Sequence, residues 1–240
     1  MERLDRDVVV ITGASRGLGR ALAIGLARAG ARTVLVARDV EALAETARRV
    51  GEAGPVPLAI ATDIGQPAAV QELREQVLAA ASPTVLINNA GQFLAGPLTE
   101  TSPASVAGLL NAVVVGSMLM TQAFLPALRT ASGHVINIGA RVASPAVPLD
   151  VSGTSIPYQT AKRHLTVFAA ALRQEAPEVS VATLYLPPIG SVADLDDSPA
   201  AVRQLYGGAS VLALRDVVEV VTARLAGTSP RWEEWVLGPA

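Results

Sequence analysis

The 240-residue sequence contains no cysteine, which excludes a disulfide scaffold, a thiolate metal site and a thiol nucleophile but leaves the compartment open. Charge is also sparse: 17% of residues are charged, the net charge is −2, and the basic residues are scattered, which argues against a nucleic-acid-binding surface. Long hydrophobic runs are missing too. The longest, Leu109 to Met120, is interrupted by Asn111, Gly116 and Ser117 and is too short to span a bilayer, so no membrane partner is expected. Met1 to Asp7 leads straight into a strand pattern with no signal peptide, and a cytoplasmic location is expected. The histidines, His134 and His164, have no ligand spacing, and no metal site is expected. What is abundant is apolar: 50% of residues are hydrophobic, enough for a substantial core, which excludes disorder as the main character.

Lysine is nearly absent as well. Of the 19 basic residues, Lys162 is the one lysine and the other 18 are arginine. Arginine cannot release its proton and carries a broad planar head, whereas lysine is a compact charge on a flexible stem. A chain that uses arginine almost everywhere else marks Lys162 as a candidate functional residue; one exposed lysine retained by drift is the plainer alternative.

Apolar runs of strand length alternate with helix-period segments. Val8–Thr12, Thr33–Ala37, Val56–Ala61, Thr84–Asn88, His134–Ile138 and Val179–Leu186 read as parallel strands buried on both faces. Helical stretches lie at Leu18–Ala29, Val40–Val50, Ala68–Ala80, Pro103–Thr130 and Pro157–Glu175, followed by Arg215–Leu225 and a final strand at Glu234–Leu237. This alternation predicts one α/β domain over residues 1–240, a doubly wound parallel sheet with helices on both faces. Two loop-like stretches, Gly139 to Ile156 and Pro187 to Leu214, follow the C-terminal ends of strands, where open α/β sheets bind ligands.

After the first strand comes Thr12-Gly-Ala-Ser-Arg-Gly-Leu-Gly19. Gly13 permits a tight turn, Gly17 lets backbone approach a pyrophosphate, and Gly19 lets the next helix pack closely. Opening a helix directly after a strand, this pattern points to a dinucleotide; a ligand-free glycine loop is the alternative. A carboxylate at the end of the second strand would select NAD, but the chain has Arg38 there, and with Arg16 it offers forked donors to a 2′-phosphate. Asp39 reads as a helix N-cap, and NADP(H) is the expected cofactor. Asp63 is a candidate adenine contact or simply a turn residue.

Tyr158-Gln-Thr-Ala-Lys162 sets a phenol and the lone lysine four residues apart, on one face of a helix. A nearby cation favours phenolate, so Lys162 is expected to lower the Tyr158 pKa and suit it to general acid work.

Over nearly its whole length the sequence resembles the short-chain dehydrogenase/reductase family. Thr12–Gly19 matches the family's TGxxxGxG turn, Asn88-Asn-Ala-Gly91 its NNAG motif, and Tyr158 with Lys162 its YxxxK pair. The resemblance implies a Rossmann-like sheet of about seven parallel strands. It also implies hydride transfer between nicotinamide and a carbonyl or alcohol carbon. Tyr158 would be the proton donor, and Lys162 would hold the nicotinamide ribose. The expected cofactor positions are Gly13, Ser15, Arg16, Gly17, Leu18, Gly19, Arg38, Asp63, Ile64, Asn89, Ala90, Gly91, Tyr158, Lys162 and Ile189. A homodimer or homotetramer through the long helices is implied as well.

The departures are specific. Where the family carries a substrate-binding serine, in an Asn-Ile-Ser-Ser-like run, this chain has Asn137-Ile-Gly-Ala140. A methyl group cannot bond an oxyanion, and loss of one such donor costs about 10²–10³ in rate. The interval from Ala140 to Tyr158 is longer than the family's by about five residues. Ser144, Ser152, Thr154 and Ser155 are candidate replacement hydroxyls, each more simply read as bonding local backbone. Val113 stands where the family's proton-relay asparagine belongs. Asn111 is about 200° away round the helix and cannot substitute without a local kink. The family's Pro-Gly after the sixth strand is Pro187-Pro188, which removes a backbone N–H. The tail, Trp232-Glu-Glu-Trp235-Val-Leu-Gly-Pro, lacks the family's frequent Val-Asp-Gly-Gly ending.

The leading expectation is therefore an NADP(H)-dependent ketoreductase with an atypical active site. The alternatives keep the fold but run a redox-neutral cyclisation or dehydration, or bind NADPH without turnover. Phe93, Leu94, Val142, Val147, Leu149, Leu195, Leu205 and Tyr206 lie in the candidate pocket loops and suggest an apolar or aromatic substrate. Arg141 is the one charge placed to meet an acidic one, and reads more simply as an exposed loop residue.

Overall fold

The branched apolar run Val8–Thr12 forms β1 and is buried along its whole length, as a parallel strand covered by helices on both faces must be. A computed structural model describes residues 4–148, 154–189, 212–227 and 234–237. From β1 the chain runs through α1 (Gly17–Arg28), β2 (Arg32–Ala37), α2 (Val40–Ala53), β3 (Leu58–Ala61), α3 (Pro67–Ala80) and β4 (Val85–Asn88). It continues through α4 (Pro103–Leu110), α5 (Gly116–Thr130), β5 (His134–Ala140), α6 (Ile156–Glu175), β6 (Ser180–Leu186), α7 (Leu214–Leu225) and β7 (Glu234–Val236).

The strands form one seven-stranded sheet in the order β3-β2-β1-β4-β5-β6-β7, with every pair parallel. This is the doubly wound architecture that the alternation predicts. Strand order reverses between β1 and β4, and the crevice beyond the C-terminal ends of strands at such a reversal is where these sheets bind ligands. The sheet's alternating side chains feed two cores. Val9, Ile11, Leu35 and Ile87 pack against Leu22 and Leu26 of α1 and Val217 and Val221 of α7. Val10, Val34, Leu86 and Val135 pack against Leu73 of α3, Phe124 of α5 and Leu172 of α6.

Most boundaries lie within one residue of the sequence reading, α2 runs three residues further to Ala53, and three other differences have a structural consequence. β3 begins at Leu58 rather than Val56, because Pro57 has no N–H for the ladder and Val56 is left exposed. β5 runs on to Ala140, so the first two residues of the predicted loop are strand, and a 3₁₀ turn follows at Arg141–Ala143. The single helix read at Pro103–Thr130 is broken by a π-helical turn at Asn111–Val115, giving α4 and α5.

By length and composition alone Pro103–Thr130 is long and apolar enough to cross a membrane, with a mean hydropathy of 1.7, contrary to the reading from its interrupted run. Its inner face explains that apolarity. Leu109 and Val113 pack on Ala161 and Leu165 of α6, while Met120, Phe124 and Leu128 belong to the core under β4 and β5.

Candidate active site

The glycine turn after β1 is held from below by a single hydroxyl. Thr12 Oγ1 donates to the Ile87 carbonyl at 3.2 Å and accepts from the Asn89 and Ala90 N–H groups, each at 3.0 Å. Asn89 Nδ2 returns the contact to the carbonyls of Thr12 (2.9 Å) and Gly13 (3.3 Å). The end of β4 and the turn are thus one hydrogen-bonded unit. Gly19 is obligatory there, since a Cβ would lie 2.1 Å from the Gly13 carbonyl oxygen. Gly17 is different: its φ is +53° and no heavy atom lies within 4 Å of where a Cβ would sit. Open space at a left-handed glycine, beside the first N–H groups of α1, fits a phosphate. The N-cap residue Arg16 makes no side-chain cap that would compete for those groups.

Around this cradle, Ser15 is buried, Leu18 packs against the core, and Arg16 and Arg38 are exposed. The Asp39 carboxylate accepts from the Ala42 N–H at 3.0 Å and caps α2, as its position in the sequence suggests. Asp63 accepts from the Gly65 N–H at 3.0 Å, a turn contact made by its own side chain. Ile64 is buried, and Gly116 of α5 approaches it so closely that a Cβ would sit 2.7 Å from Ile64 Cδ1. Ile189 forms a parallel bridge with Leu212.

Helix α6 begins with Ser155 as N-cap, its hydroxyl accepting from the Tyr158 N–H at 3.2 Å. This places Tyr158 in the first turn and Lys162 one turn later on the same face. Lys162 is 6% exposed, and its Nζ donates to the Ile138 carbonyl of β5 at 2.8 Å. The Tyr158 ring meets the Phe93 ring edge-on, with centroids 5.2 Å apart and planes at 72°. Phe93 itself is 63% exposed.

The electrostatics overturn one expectation. Burial pushes the Tyr158 phenol up to about 12 rather than down. Burial likewise lowers Lys162 to about 8. The cause is the same for both groups: low-polarity surroundings disfavour the charged form.

The positions that depart from the resemblance stay apolar. Ala140, at the end of β5, is buried. Of the candidate hydroxyls, Ser144 is buried in its own turn and accepts from the Ala146 N–H at 3.2 Å, and Ser155 is the helix cap. Thr154 accepts from Gln159 Nε2 at 2.8 Å, and Ser152 lies outside the described residues. Val113 is buried among Leu109, Ala161 and Leu165, with Tyr158 packed against the same cluster. The π-helical turn does deform the helix at Asn111, yet the Asn111 side chain is exposed, so the kink does not bring it inward. A Cβ on Gly91 would lie 2.7 Å from Val113 Cγ2 and 3.7 Å from Lys162 Nζ, so Gly91 is the spacer that lets these groups approach.

Among the candidate pocket residues, Leu94 is half-buried against the cluster of Leu109, Val113, Ala161 and Leu165, and its carbonyl accepts from the Ser155 N–H at 3.1 Å. Val142 and Val147 are half-buried and Arg141 is exposed. Leu149, Leu195, Leu205, Tyr206 and Trp232 lie outside the described residues. Pro188 is exposed, and its carbonyl accepts from the Leu212 N–H at 3.3 Å.

Sequence reasoning missed the Thr12 hub and a second anchor on the turn formed by Arg20 and Thr46. The signal for Thr46 was present: it sits with Leu43 and Val50 on the buried stripe of α2, where an apolar residue belongs.

Comparison with known proteins agrees with this geometry. Residues 7–197 match the family model for short chain dehydrogenases. A ketoacyl reductase from Nostoc sp. is 34% identical over 177 residues, 73% of this chain and 60% of that protein, so the match spans three fifths of the relative's length. The crystal structure of a metagenomic short-chain oxidoreductase in complex with NADP is 31% identical, with a TM-score of 0.77 over 99% of both chains. A short-chain dehydrogenase/reductase from Burkholderia phymatum in complex with NAD is 25% identical, with a TM-score of 0.80 over 98% of this chain and 90% of that one.

Proposed function

The chain belongs to the short-chain dehydrogenase family, and from that premise we propose that it is an NADP(H)-dependent oxidoreductase acting on the carbonyl or alcohol carbon of a small apolar or aromatic substrate. The observation that carries this reading is the placement of Tyr158 and Lys162 one helical turn apart, with Lys162 on the Ile138 carbonyl. The phosphate cradle opens at the same, C-terminal edge of the sheet.

When bound, the nicotinamide supplies or accepts the hydride. The turn from Gly13 to Gly19 and the first N–H groups of α1 hold the pyrophosphate. Arg16 and Arg38 face the 2′-phosphate, a group that NADH lacks. The Asp39 carboxylate accepts from the Ala42 N–H and caps α2, which is the role this reading gives it. The Burkholderia relative was solved with NAD and the metagenomic one with NADP, so family membership does not set the preference; Arg16 and Arg38 are what support NADP(H) in this reading. Asp63 would contact the adenine, and Ile64, Asn89, Ala90, Gly91 and Ile189 would help to hold the rest of the cofactor.

Tyr158 carries its proton at neutral pH and is placed to be the acid that protonates the carbonyl oxygen during reduction; burial, which pushes its pKa up to about 12, makes that proton harder to give up, and a neighbouring cation opposes this. Lys162 has three donors, of which Ile138 engages one, leaving two for ribose hydroxyls. Its pKa of about 8 lies close enough to neutrality for it to pass a proton on and recover it. Phe93 and Leu94 shape an apolar entrance. Self-association, as a homodimer or homotetramer through the exposed Val115 of the π-helical turn and Met118 of α5, belongs to the same reading.

One observation favours a second reading, a redox-neutral cyclisation or dehydration: neither Ala140 nor Val113 supplies a polar contact where the family has one. Titration of the purified protein with NADPH and NADH by fluorescence tests the cofactor assignment. Tighter NADPH binding, weakened about tenfold in Arg38→Ala, is expected from loss of a charge-assisted fork. A carbonyl screen then separates the chemistries. NADPH consumption that collapses in Tyr158→Phe supports hydride transfer, and turnover without NADPH oxidation supports the redox-neutral step. Binding of neither nucleotide overturns both.

A further inference from the structure

We propose that Arg20 and Thr46 are positioning residues that set the preference for a 2′-phosphate-bearing cofactor, by holding the Ser15–Arg16 peptide in one orientation; this rests on the NADP(H) reading above. Thr46 is fully buried on α2, where a hydroxyl is costly unless it is bonded. Arg20 Nε donates to Thr46 Oγ1 at 2.9 Å. The Thr46 hydroxyl has one proton to give and lies 3.0 Å from the Ala42 carbonyl and 3.2 Å from the Ser15 carbonyl. The other end of the fork, Arg20 Nη2, donates to the Ser15 carbonyl at 2.5 Å and reaches the Ala42 carbonyl at 3.4 Å. A side chain of α1 and a side chain of α2 therefore meet at one carbonyl of the glycine turn.

That carbonyl matters because it shares a peptide unit with the Arg16 N–H. In a trans peptide the C=O and the next N–H point in opposite directions. Pinning the Ser15 carbonyl beside Thr46 turns the Arg16 N–H away from it and fixes the direction in which the Arg16 side chain leaves the backbone. Arg16 is extended, with φ −160° and ψ 173°, and exposed. The other end of the clamp lies on α2, which starts directly after Arg38 and Asp39 and is capped by Asp39. The clamp thus ties the segment bearing Arg16 to the helix that comes after Arg38. NADH and NADPH share their pyrophosphate, whereas only NADPH presents a group that needs both arginines at a set separation. Loosening the clamp weakens NADPH binding more than NADH binding.

The experiment measures NADPH and NADH affinities of the full chain for wild type, Thr46→Val, Thr46→Ser, Arg20→Met, Arg20→Lys and Arg38→Ala, with thermal unfolding as the check on folding. Thr46→Val and Arg20→Met are expected to lower the NADPH-to-NADH affinity ratio by about fivefold each, the effect of one hydrogen bond. Thr46→Ser restores the ratio because it keeps the hydroxyl. Arg20→Lys does not, because it keeps the charge but loses the fork. A proportional loss of both affinities, or a ratio that survives in Thr46→Val, overturns the proposal. If the ratio falls in Arg38→Ala but in neither clamp variant, the clamp alone is wrong. If wild type binds both nucleotides alike, the cofactor reading falls and takes this one with it.

Discussion

The two halves of the site are built differently. On the cofactor side, Thr12, Ser15, Asn89, Arg20 and Thr46 bond one another's backbone and side-chain groups across β1, β4, α1 and α2. On the proposed substrate side, Tyr158 meets the Phe93 ring and packs against the cluster that holds Val113 and Leu165, and Ala140 ends β5. Hydrogen bonds fix directions and hold a turn in one shape, whereas apolar packing fixes volume and lowers the local dielectric. On the proposed function, cofactor binding and proton transfer would therefore be separable: the first would rest on satisfied polar groups, the second on one phenol in an apolar setting.

The largest effect that tests this separation is Tyr158→Phe. It is expected to lower kcat by about 10²–10⁴, the worth of a positioned acid, with NADPH affinity unchanged in titration. Gly19→Ala is its converse. The added methyl meets the Gly13 carbonyl oxygen at 2.1 Å, and the overpacking costs about 1–3 kcal/mol, read as a lower Tm and weaker nucleotide binding. Ala140→Ser restores a hydroxyl at the end of β5. It is expected to raise kcat about tenfold, short of the full worth of an oxyanion donor. No rise, in a variant that folds and binds NADPH, would show that the substrate supplies its own hydrogen bond.

Lys162 sharpens the comparison through pH. Its pKa falls from an ordinary 10.5 in the unfolded chain to about 8 in the buried site. Between those values the unfolded chain holds a proton that the folded chain has released, so this group makes stability rise with pH from about 8 to 10.5. Tyr158 has the opposite sign, but its window runs from 10.0 to about 12. Denaturant unfolding between pH 8 and 10 therefore isolates the lysine, and Lys162→Met is expected to flatten the rise. A rise that persists in the variant assigns it to another group.

Much of this molecule was readable from residue order. The strands at Val8–Thr12, Arg32–Ala37 and Val85–Asn88 are apolar on both faces because helices cover both, and that pattern is written locally. The glycine turn was legible for a similar reason: Gly13 and Gly17 have φ of +68° and +53°, a backbone demand that glycine meets at least cost. The Asp39 cap followed from its place just before an amphipathic helix. The π-helical turn at Asn111–Val115 had no comparable signal, since no proline or glycine stands within it. The start of β3 was misplaced by giving Val56 its strand propensity while overlooking what Pro57 does to the ladder.

The amino-acid sequence by itself determined the order of elements, the parallel sheet, the phosphate cradle and the spacing of Tyr158 and Lys162. Each follows from periodicity or backbone permission over a few consecutive residues. Only the tertiary structure decided which hydroxyls are free, where Lys162 donates, and in which direction the Tyr158 pKa moves. Ser144, Thr154 and Ser155 are indistinguishable as letters; the turns and the helix end beside them claim each one. A cation four residues away argues for a lowered phenol, but burial of Tyr158 depends on Val113 and Phe93, which come from other elements and reach it only when the chain is folded.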